Sequence, residues 1–306
     1  MKLDGLIETL IVLFLILILG YMTGKKKLFS PSIAKDLSAM ILSVTMPCLI
    51  LGAALRSAGE PNIPRAILVL VASGITYLVL PFLGIAISYL FRVKPEERRL
   101  YQYMTTFSNV AYIGYPIVGA LLGEEMIIYA SISSLVFNLL NFTLGAHWMS
   151  GGREKQRAIS VVLNPGVISS IVAIVFFFAS VKFPEPLTKA IVDVGNMTTP
   201  LAMIVIGLNL AQSNPRVIFG QPKMYAYVLV RMFCIPPLLW LGYRLCIGEA
   251  QLVALMTVIG ALPIATAGVL FANRFDYQVE EMTAGVFLST LLCLASIPLL
   301  VQWLLM

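Results

Sequence analysis

Long uncharged runs recur along this chain, and they constrain its fold more than any other feature of the sequence. The run from Ala66 to Phe91 contains no charged residue, and several others hold one charge at most. A helix needs about 20 apolar residues to cross about 30 Å of hydrocarbon. Because 59% of the residues are hydrophobic and only 12% are charged, the polar side chains are too few to cover a soluble globule. The sequence therefore predicts an all-α membrane protein.

Ten transmembrane helices are predicted from hydropathy and from the charges and turn residues that separate the apolar runs. Apolar and polar residues do not alternate strictly, as the strands of an outer-membrane barrel would require. The predicted spans, numbered 1 to 10 in chain order, cover residues 7–24, 34–56, 65–91, 99–122, 125–149, 163–182, 187–212, 221–246, 250–272 and 279–305.

The positive charges are distributed unequally between the two sides of the predicted bundle. Loops that follow odd-numbered spans hold 14 lysines and arginines, and the opposite side holds 6. Because cation-rich loops stay in the cytoplasm, we expect a multi-pass protein of the cell inner (plasma) membrane with both termini on the outside. The net charge of +6 comes from short clusters between apolar runs, so it indicates topology and no nucleic-acid partner.

Four pairs of prolines indicate an internal repeat. They recur in the same order at offsets of 153, 153, 155 and 147 residues: Pro31 with Pro184, Pro47 with Pro200, Pro81 with Pro236, and Pro116 with Pro263. Each half contains five spans, an odd number, so the second half must be inserted upside down, as in many secondary transporters. The predicted division is a first five-helix repeat at 1–150, a basic cytoplasmic connector at 151–162, and a second, inverted five-helix repeat at 163–306.

Spans 4 and 9 each combine glycines with a proline inside the span. The segment "NVAYIGYPIVG" contains Gly114 and Pro116, and "IGALPIATAG" contains Gly260 and Pro263. A proline inside a helix removes a backbone hydrogen bond, and bilayers tolerate freed backbone groups only within protein or along a wet cavity. One interpretation is a simple kink in each helix. The other is a pair of broken helices whose ends lie near the bilayer middle, where their partial charges and the Asn109 amide can hold a polar ligand.

Polar side chains form a stripe on span 5. Ser131, Ser134, Asn138 and Asn141 follow one another at spacings of three and four residues, which places them on one face of a helix. Such a face turns away from lipid. It either packs against neighbouring helices or forms a wall of the same polar cavity as Asn109.

Two ionisable residues lie in the interior of predicted spans, away from the span ends. Arg231 is about 15 Å deep in span 8, where an isolated guanidinium is costly, so it needs a partner. Backbone carbonyls or a carboxylate would make its role structural, whereas a substrate-anion or coupling role would make it functional. Asp193, which lies seven residues before Pro200, is the first candidate for a proton-carrying coupling group if it is partly buried; the alternative is a carboxylate that favours the start of helix 7.

No cofactor or metal site is expected. The four cysteines lie within or beside apolar segments and lack C-x-x-C spacing, so they indicate neither a disulfide framework nor a metal site. The sequence has no P-loop and no H-E-x-x-H motif. Neither an ATP-driven pump nor an intramembrane enzyme is therefore expected.

Three motifs resemble the auxin efflux carrier family, which includes plant PIN proteins and bacterial malonate- and malate-type organic-anion carriers. The string "NVAYIGYP" resembles the N-x-x-x-x-G-x-P motif of span 4, "GALPIATAGVLFANRF" the A-L-P segment of span 9, and "VRMFCIP" the V-R-F-x-x-x-P motif of span 8. The resemblance implies a scaffold of helices 1, 2, 6 and 7, a transport domain of the other helices, and broken helices 4 and 9 that cross. It also implies a substrate site that contains Asn109, Pro116 and Pro263.

The connection between spans 5 and 6 departs from the plant members, which commonly have a long hydrophilic loop where this chain has only about "SGGREKQRAIS". The nearer analogy is a bacterial carrier of small carboxylates. We therefore expect a secondary transporter that moves a small organic anion by alternating access, with a channel or a nontransporting receptor of the same fold as the alternative. The expected partners are a mono- or dicarboxylate and the lipid bilayer, and a homodimer is an open alternative.

Overall fold

A computed structural model describes residues 3–30, 32–56, 62–123, 125–151, 163, 165–179, 181, 183–212, 220 and 222–304. The regular structure of these residues is helical. The helices are α1 (Leu3–Lys25), α2 (Ile33–Arg56), α3 (Ile63–Leu90), α4a (Arg98–Thr106), α4b (Tyr115–Leu122), α5 (Glu125–Met149), α6 (Pro165–Phe178), α7 (Glu185–Gln212), α8 (Pro222–Cys246), α9a (Ala250–Ala261), α9b (Ala267–Phe275) and α10 (Val279–Leu304).

The lengths and composition of these helices confirm a multi-pass, all-helical membrane protein. In the described part of the chain, six helices are long and apolar enough to cross a bilayer: α2, α3, α5, α7, α8 and α10. Shorter apolar segments lie in α1, α6 and α9a. Most of the predicted connector, from residue 152 onward, lies outside the described residues.

The interruptions predicted in spans 4 and 9 are present, but only the second lies at its proline. Leu262, just before Pro263, is extended at the end of α9a, as expected for a residue before proline. In span 4 the chain leaves helical geometry earlier, at Phe107, and resumes as a π turn, Val110–Gly114, that leads into α4b. Pro116 lies in the first turn of α4b, where its missing N–H has no intrahelical partner to lose.

Helix α1 packs along the second half of α7, and α6 packs along the second half of α2. Glycines allow the first contact to be close, because a Cβ on Gly207 would lie 2.2 Å from the Leu17 carbonyl oxygen and one on Gly20 would lie 2.5 Å from that of Ile204. Small residues at such contacts let membrane helices approach backbone to backbone. The contact between α1 and α7 is therefore tightly packed.

Helices at corresponding positions of the two predicted halves make corresponding contacts elsewhere too. Helix α3 packs on α4a as α8 packs on α9a, and α4b packs on α5 as α9b packs on α10. The half-helices of the two interrupted spans are thus each held by a long neighbouring helix. This arrangement brings the two interruptions together inside the bundle.

Candidate functional site

The two interrupted segments, at 107–109 and 263–265, pair with each other, and we call this paired region the crossover. The Asn109 N–H donates to the Pro263 carbonyl at 2.8 Å, and the Ala265 N–H donates to the Phe107 carbonyl at 3.0 Å. Ser108 and Ile264 thereby form an isolated antiparallel bridge. Backbone groups that lose helical partners inside a membrane must find others within the protein. Here each broken segment supplies partners to the other.

Arg231 of α8 holds the C-terminal ends of both first half-helices. Its guanidinium is fully buried; Nη1 donates to the Gly260 carbonyl at 2.9 Å and Nε to the Met104 carbonyl at 3.3 Å. Met104 and Gly260 lie in the last turns of α4a and α9a, where helix carbonyls lack partners and carry negative partial charge. Nη2 donates to the Ser108 hydroxyl at 2.5 Å. Of the alternatives for Arg231, the backbone-carbonyl partners are the ones observed.

The N-terminal ends of the second half-helices carry polar side chains with unused hydrogen-bonding capacity. Asn109 is the N-cap of the π turn that leads into α4b, and Thr266 is the N-cap of α9b; neither side chain caps its own helix. Their exposed fractions are 2% and 1%. Among the described residues, Asn109 Nδ2 and Thr266 Oγ1 have no hydrogen-bond partner. Because buried polar groups are nearly always paired, these two atoms mark the crossover as a candidate binding site.

The polar stripe of α5 faces both halves of the interrupted span 4. Asn141 Oδ1 accepts a hydrogen bond from the Tyr103 hydroxyl of α4a at 2.7 Å, and Ser134 pairs with the Tyr115 hydroxyl of α4b at 2.5 Å. Asn138 is buried on the same helix. The amide nitrogen of Asn141 has no partner in the described part of the chain. The stripe thus packs against span 4 and also brings a third free polar atom to this region.

Two glycines permit close packing around the crossover. A Cβ on Gly114 would lie 2.7 Å from Leu262 Cδ1, next to Pro263. A Cβ on Gly268 would lie 2.6 Å from Tyr103 Cε1. Gly268 therefore allows Tyr103, the partner of Asn141, to reach the first turn of α9b.

A small cavity adjoins the crossover on the side of α3. It has a volume of about 10 Å³, which is room for about one water molecule. Its lining includes the hydroxyl side chains of Ser73, Thr76, Thr106, Ser108 and Ser133. A carboxylate larger than water would require the surrounding helices to move.

The structure brings most of the predicted site residues together, but not all of them. Asn109, Gly114 and Pro263 meet at the crossover, and Arg231 and Asn141 are joined to it through Ser108 and Tyr103. Pro116 lies beyond the paired segments, in the first turn of α4b.

Asp193 lies apart from this group. Its side chain is 58% exposed and pairs with Lys189 one turn earlier at 2.9 Å, so the partial burial expected for a proton switch is not observed. It also lies beyond the first turn of α7, whose acidic residue is Glu185. The alternative role at the helix start is therefore not observed either.

Sequence reasoning missed three residues of the site: Thr266, Ser108 and Tyr103. Thr266 lies three residues after Pro263, and Ser108 directly precedes Asn109. The polar residues that flank each predicted break were thus available as a signal. Tyr103 gave no such signal in the sequence, because only its contact with Asn141 distinguishes it from other tyrosines of the chain.

Comparison with known proteins identifies the chain at the level of its family. The model of a family described as "Membrane transport protein" matches residues 6–301. An uncharacterized transporter of Escherichia coli, YfdV, is 21% identical over 304 residues, with 96% of each chain covered. An uncharacterized transporter of Methanocaldococcus jannaschii, MJ1031, is 22% identical over 300 residues, with 95% of this chain and 96% of the relative covered.

A third relative is much longer than this chain. The lysosomal cholesterol signaling protein of Mus musculus is 24% identical over 342 residues, which cover all of this chain but 38% of the mouse protein. The family match spans nearly the whole chain and includes both interrupted helices. The chain therefore belongs to the membrane transport protein family, that of the auxin efflux carriers.

Proposed function

We propose that this protein is a secondary transporter that moves a small organic anion, such as a mono- or dicarboxylate, by alternating access. The observation that carries the proposal is the pair of unpartnered polar atoms, Asn109 Nδ2 and Thr266 Oγ1, at the N-terminal ends of two half-helices that cross. Each buried, unpaired group costs about 1–3 kcal/mol. A ligand that supplies an acceptor to both would remove that cost.

The sign of the ligand's charge follows from which helix ends are already occupied. The C-terminal ends of α4a and α9a, which attract cations, are held by Arg231. The ends that remain are N-terminal, and these favour anions such as carboxylate and phosphate. Asn109 offers an amide donor and Thr266 a hydroxyl. A carboxylate matches both the donors and the local potential.

Packing within the bundle supports the division into a scaffold and a moving part. Helices α1, α2, α6 and α7 pack on one another, and α3 to α5 and α8 to α10 surround the crossover. The reciprocal contacts of the two halves are those expected for two inverted five-helix repeats with ten spans. In the proposed cycle, the crossover stays near the bilayer middle while the part that carries it moves against the scaffold.

Counterflow in proteoliposomes tests this function. Vesicles loaded with one unlabelled carboxylate at a time should accumulate the same labelled carboxylate transiently. Asn109→Ala and Thr266→Val should each weaken the apparent affinity by roughly 10-fold, the loss expected for one hydrogen bond to a charged ligand. Asn109→Asp should abolish transport, because it places a negative charge where the anion must bind.

Thr143→Val is the matched control, because within the described residues the Thr143 hydroxyl bonds only to its own helix, at the Leu139 and Leu140 carbonyls. It should transport like the parent. Unchanged transport in both Asn109→Ala and Asn109→Asp would exclude the crossover as the substrate site.

A ligand-sensing role without transport is the second candidate. The name of the mouse relative refers to signalling, and that protein contains much sequence beyond the matched region. A chain of this family can therefore serve as part of a signalling protein. A sensor would bind carboxylates at the crossover, measurable as a rise in thermal stability, yet would show no counterflow. Ligand-dependent stabilisation that Asn109→Asp removes, together with absent counterflow, would favour the sensor.

A further inference from the structure

An apolar groove lies away from the crossover, between α1, the start of α2 and the second half of α7. Its volume is about 340 Å³, within the range of cavities that bind small ligands. The hydroxyl of Thr23, in the groove wall, donates to the Gly20 carbonyl at 2.9 Å. The groove is lined by Leu19, Gly20, Thr23, Phe29, Ile33, Leu37, Leu201, Ile204 and Leu208.

A basic turn lies beside this groove, between its lining residues Thr23 and Phe29. Lys25 is the last residue of α1, and Lys26 and Lys27 form the turn that leads toward Phe29 in the groove wall; Lys27 adopts a left-handed backbone conformation, with φ of 52°. All three lysines are exposed. In the described part of the chain, none of them forms a salt bridge. The turn therefore presents three uncompensated positive charges.

The apolar and basic surfaces are continuous. The lining residue Leu19 precedes Lys25 by six residues of helix, a rise of about 9 Å, and the lining residue Thr23 precedes it by two, so the groove wall follows α1 to the turn. Leu28 and Phe29, beside the lysines, are 61% and 54% exposed. Such a combination is typical of the boundary between hydrocarbon and headgroups, where basic pockets bind anionic lipids.

We propose that the groove is a binding site for one anionic phospholipid, with an acyl chain against Leu201 and Ile204 and the phosphate among Lys25, Lys26 and Lys27. The turn lies on the side that the charge distribution predicts to be cytoplasmic, where anionic lipids concentrate. The bound lipid would brace α1 against α7, in the proposed scaffold. This inference does not depend on what the crossover transports.

A second copy of the chain fits the groove less well. In a two-fold dimer with its axis along the membrane normal, the interface uses the same patch on both copies. The two basic turns would then lie on the same side of the membrane and close to each other. Like charges brought together at an interface are costly, whereas a phosphate neutralises them.

The test uses the purified full chain in neutral detergent, titrated with phosphatidylglycerol or with phosphatidylcholine of the same acyl chains. Lipid binding is followed as the rise in the thermal unfolding midpoint and as adducts retained in native mass spectrometry. We expect phosphatidylglycerol to bind at least 10-fold more tightly to the parent. High salt should reduce that preference.

Two variants distinguish the contribution of the lysine charges to lipid binding from that of the apolar groove. The triple variant Lys25→Gln/Lys26→Gln/Lys27→Gln should lose the preference for phosphatidylglycerol, since each lysine near an anionic surface contributes about fivefold. Leu201→Trp, which fills the groove, should weaken binding of both lipids. Lys189→Gln, on an exposed lysine elsewhere in the scaffold, is the matched control and should behave like the parent.

Three outcomes would overturn the proposal. They are equal binding of the two lipids by the parent, a preference that survives in the lysine variant, and disulfide crosslinking of Leu19→Cys between two copies in bilayers. The last would assign the groove to a dimer interface. If the triple variant unfolds without lipid, Lys26→Gln/Lys27→Gln keeps the cation–π contact of Lys25 with Tyr21 and should still reduce the preference.

Discussion

Arg231 caps two half-helices with a single side chain. The last carbonyls of α4a and α9a would otherwise face a membrane interior without partners, and the planar guanidinium reaches one on each side while a third nitrogen holds Ser108. A planar group with five N–H donors suits this geometry, whereas an ammonium concentrates its donors at one point. The identity of the residue therefore matters as well as its charge.

We expect Arg231→Lys to lower the free energy of unfolding by about 2 kcal/mol or more, because at least one charge-assisted hydrogen bond is lost. The thermal unfolding midpoint of the purified protein measures this loss. Arg244→Lys is the control, since Arg244 of the same helix is exposed and stacks on Trp240. Equal midpoints for the two variants would contradict a capping role for Arg231.

Gly114 is required by the close approach of Leu262. Gly114→Ala should destabilise the protein by about 1–3 kcal/mol through overpacking, because the new Cβ would lie 2.7 Å from Leu262 Cδ1. Adding Leu262→Val, which removes that atom, should recover part of the loss in a double-mutant cycle. Gly74→Ala, whose Cβ would meet nothing within 4 Å, should be neutral or slightly stabilising. Additive effects of the Gly114 and Leu262 changes would rule out this contact as the cause.

The exposure of Asp193 changes what its substitution should do. Because the carboxylate is 58% exposed and paired with Lys189, we expect Asp193→Asn to leave carboxylate uptake driven by a pH gradient close to that of the parent. Accumulation and exchange are measured in the same proteoliposomes. A variant that exchanges substrate but no longer accumulates it would restore the proton-carrying role expected from the sequence.

At the scale of elements, one buried hydrogen bond joins α2 to α9b. Asn273 Nδ2 donates to the Ser38 hydroxyl at 3.1 Å, and Ser38 in turn donates to the Ala34 carbonyl. In the proposed division, α2 belongs to the scaffold and α9b to the moving part. The movement would therefore have to break this bond.

Asn273→Ala should favour the state in which α2 and α9b separate. A buried hydrogen bond contributes about 0.5–1.5 kcal/mol, which corresponds to a shift of roughly 2- to 13-fold between two states. Ala34→Cys, placed in a background without the four native cysteines, should react faster with a water-soluble thiol reagent in the variant. Thr257→Ala is the control, since its hydroxyl bonds to Val253 within its own helix. An unchanged reaction rate would argue against separation at this contact.

At the scale of the whole molecule, the distribution of cations predicts which way the bundle faces. Loops that follow odd-numbered spans carry 14 lysines and arginines against 6 on the other side, so Lys27 should face the cytoplasm and Asn62 the outside. Single cysteines at the two positions are treated with a membrane-impermeant thiol reagent. The cysteine at position 62 should react in intact cells, whereas the one at position 27 should react only after the membrane is permeabilised. Labelling of both from the same side would contradict the predicted insertion of ten spans.

Much of the fold was predictable, because a membrane-spanning helix depends mainly on the residues of its own segment. A helix that crosses lipid must satisfy its backbone within itself and show apolar side chains, so hydropathy located α3 within two residues at its start and one at its end. Glycine and proline inside spans 4 and 9 likewise predicted the interruptions. The break in span 4 was displaced from Pro116 to Phe107, because a proline in the first turn of a helix does not itself break it.

Sequence patterns alone predicted the helical membrane fold, the two interrupted spans, the polar face of α5 and the family of the chain. Each of these depends on residue type and on spacing along one segment. The packing of the helices was needed to reveal that Arg231 serves two helix ends, that Asn109 pairs with Pro263, and that Thr266 lies at the candidate site. These contacts join residues of different segments, 29 and 127 positions apart for the two carbonyls that Arg231 holds, or depend on which buried atoms are left without a partner. Such relations arise only when the helices pack in three dimensions, so no pattern along one segment could contain them.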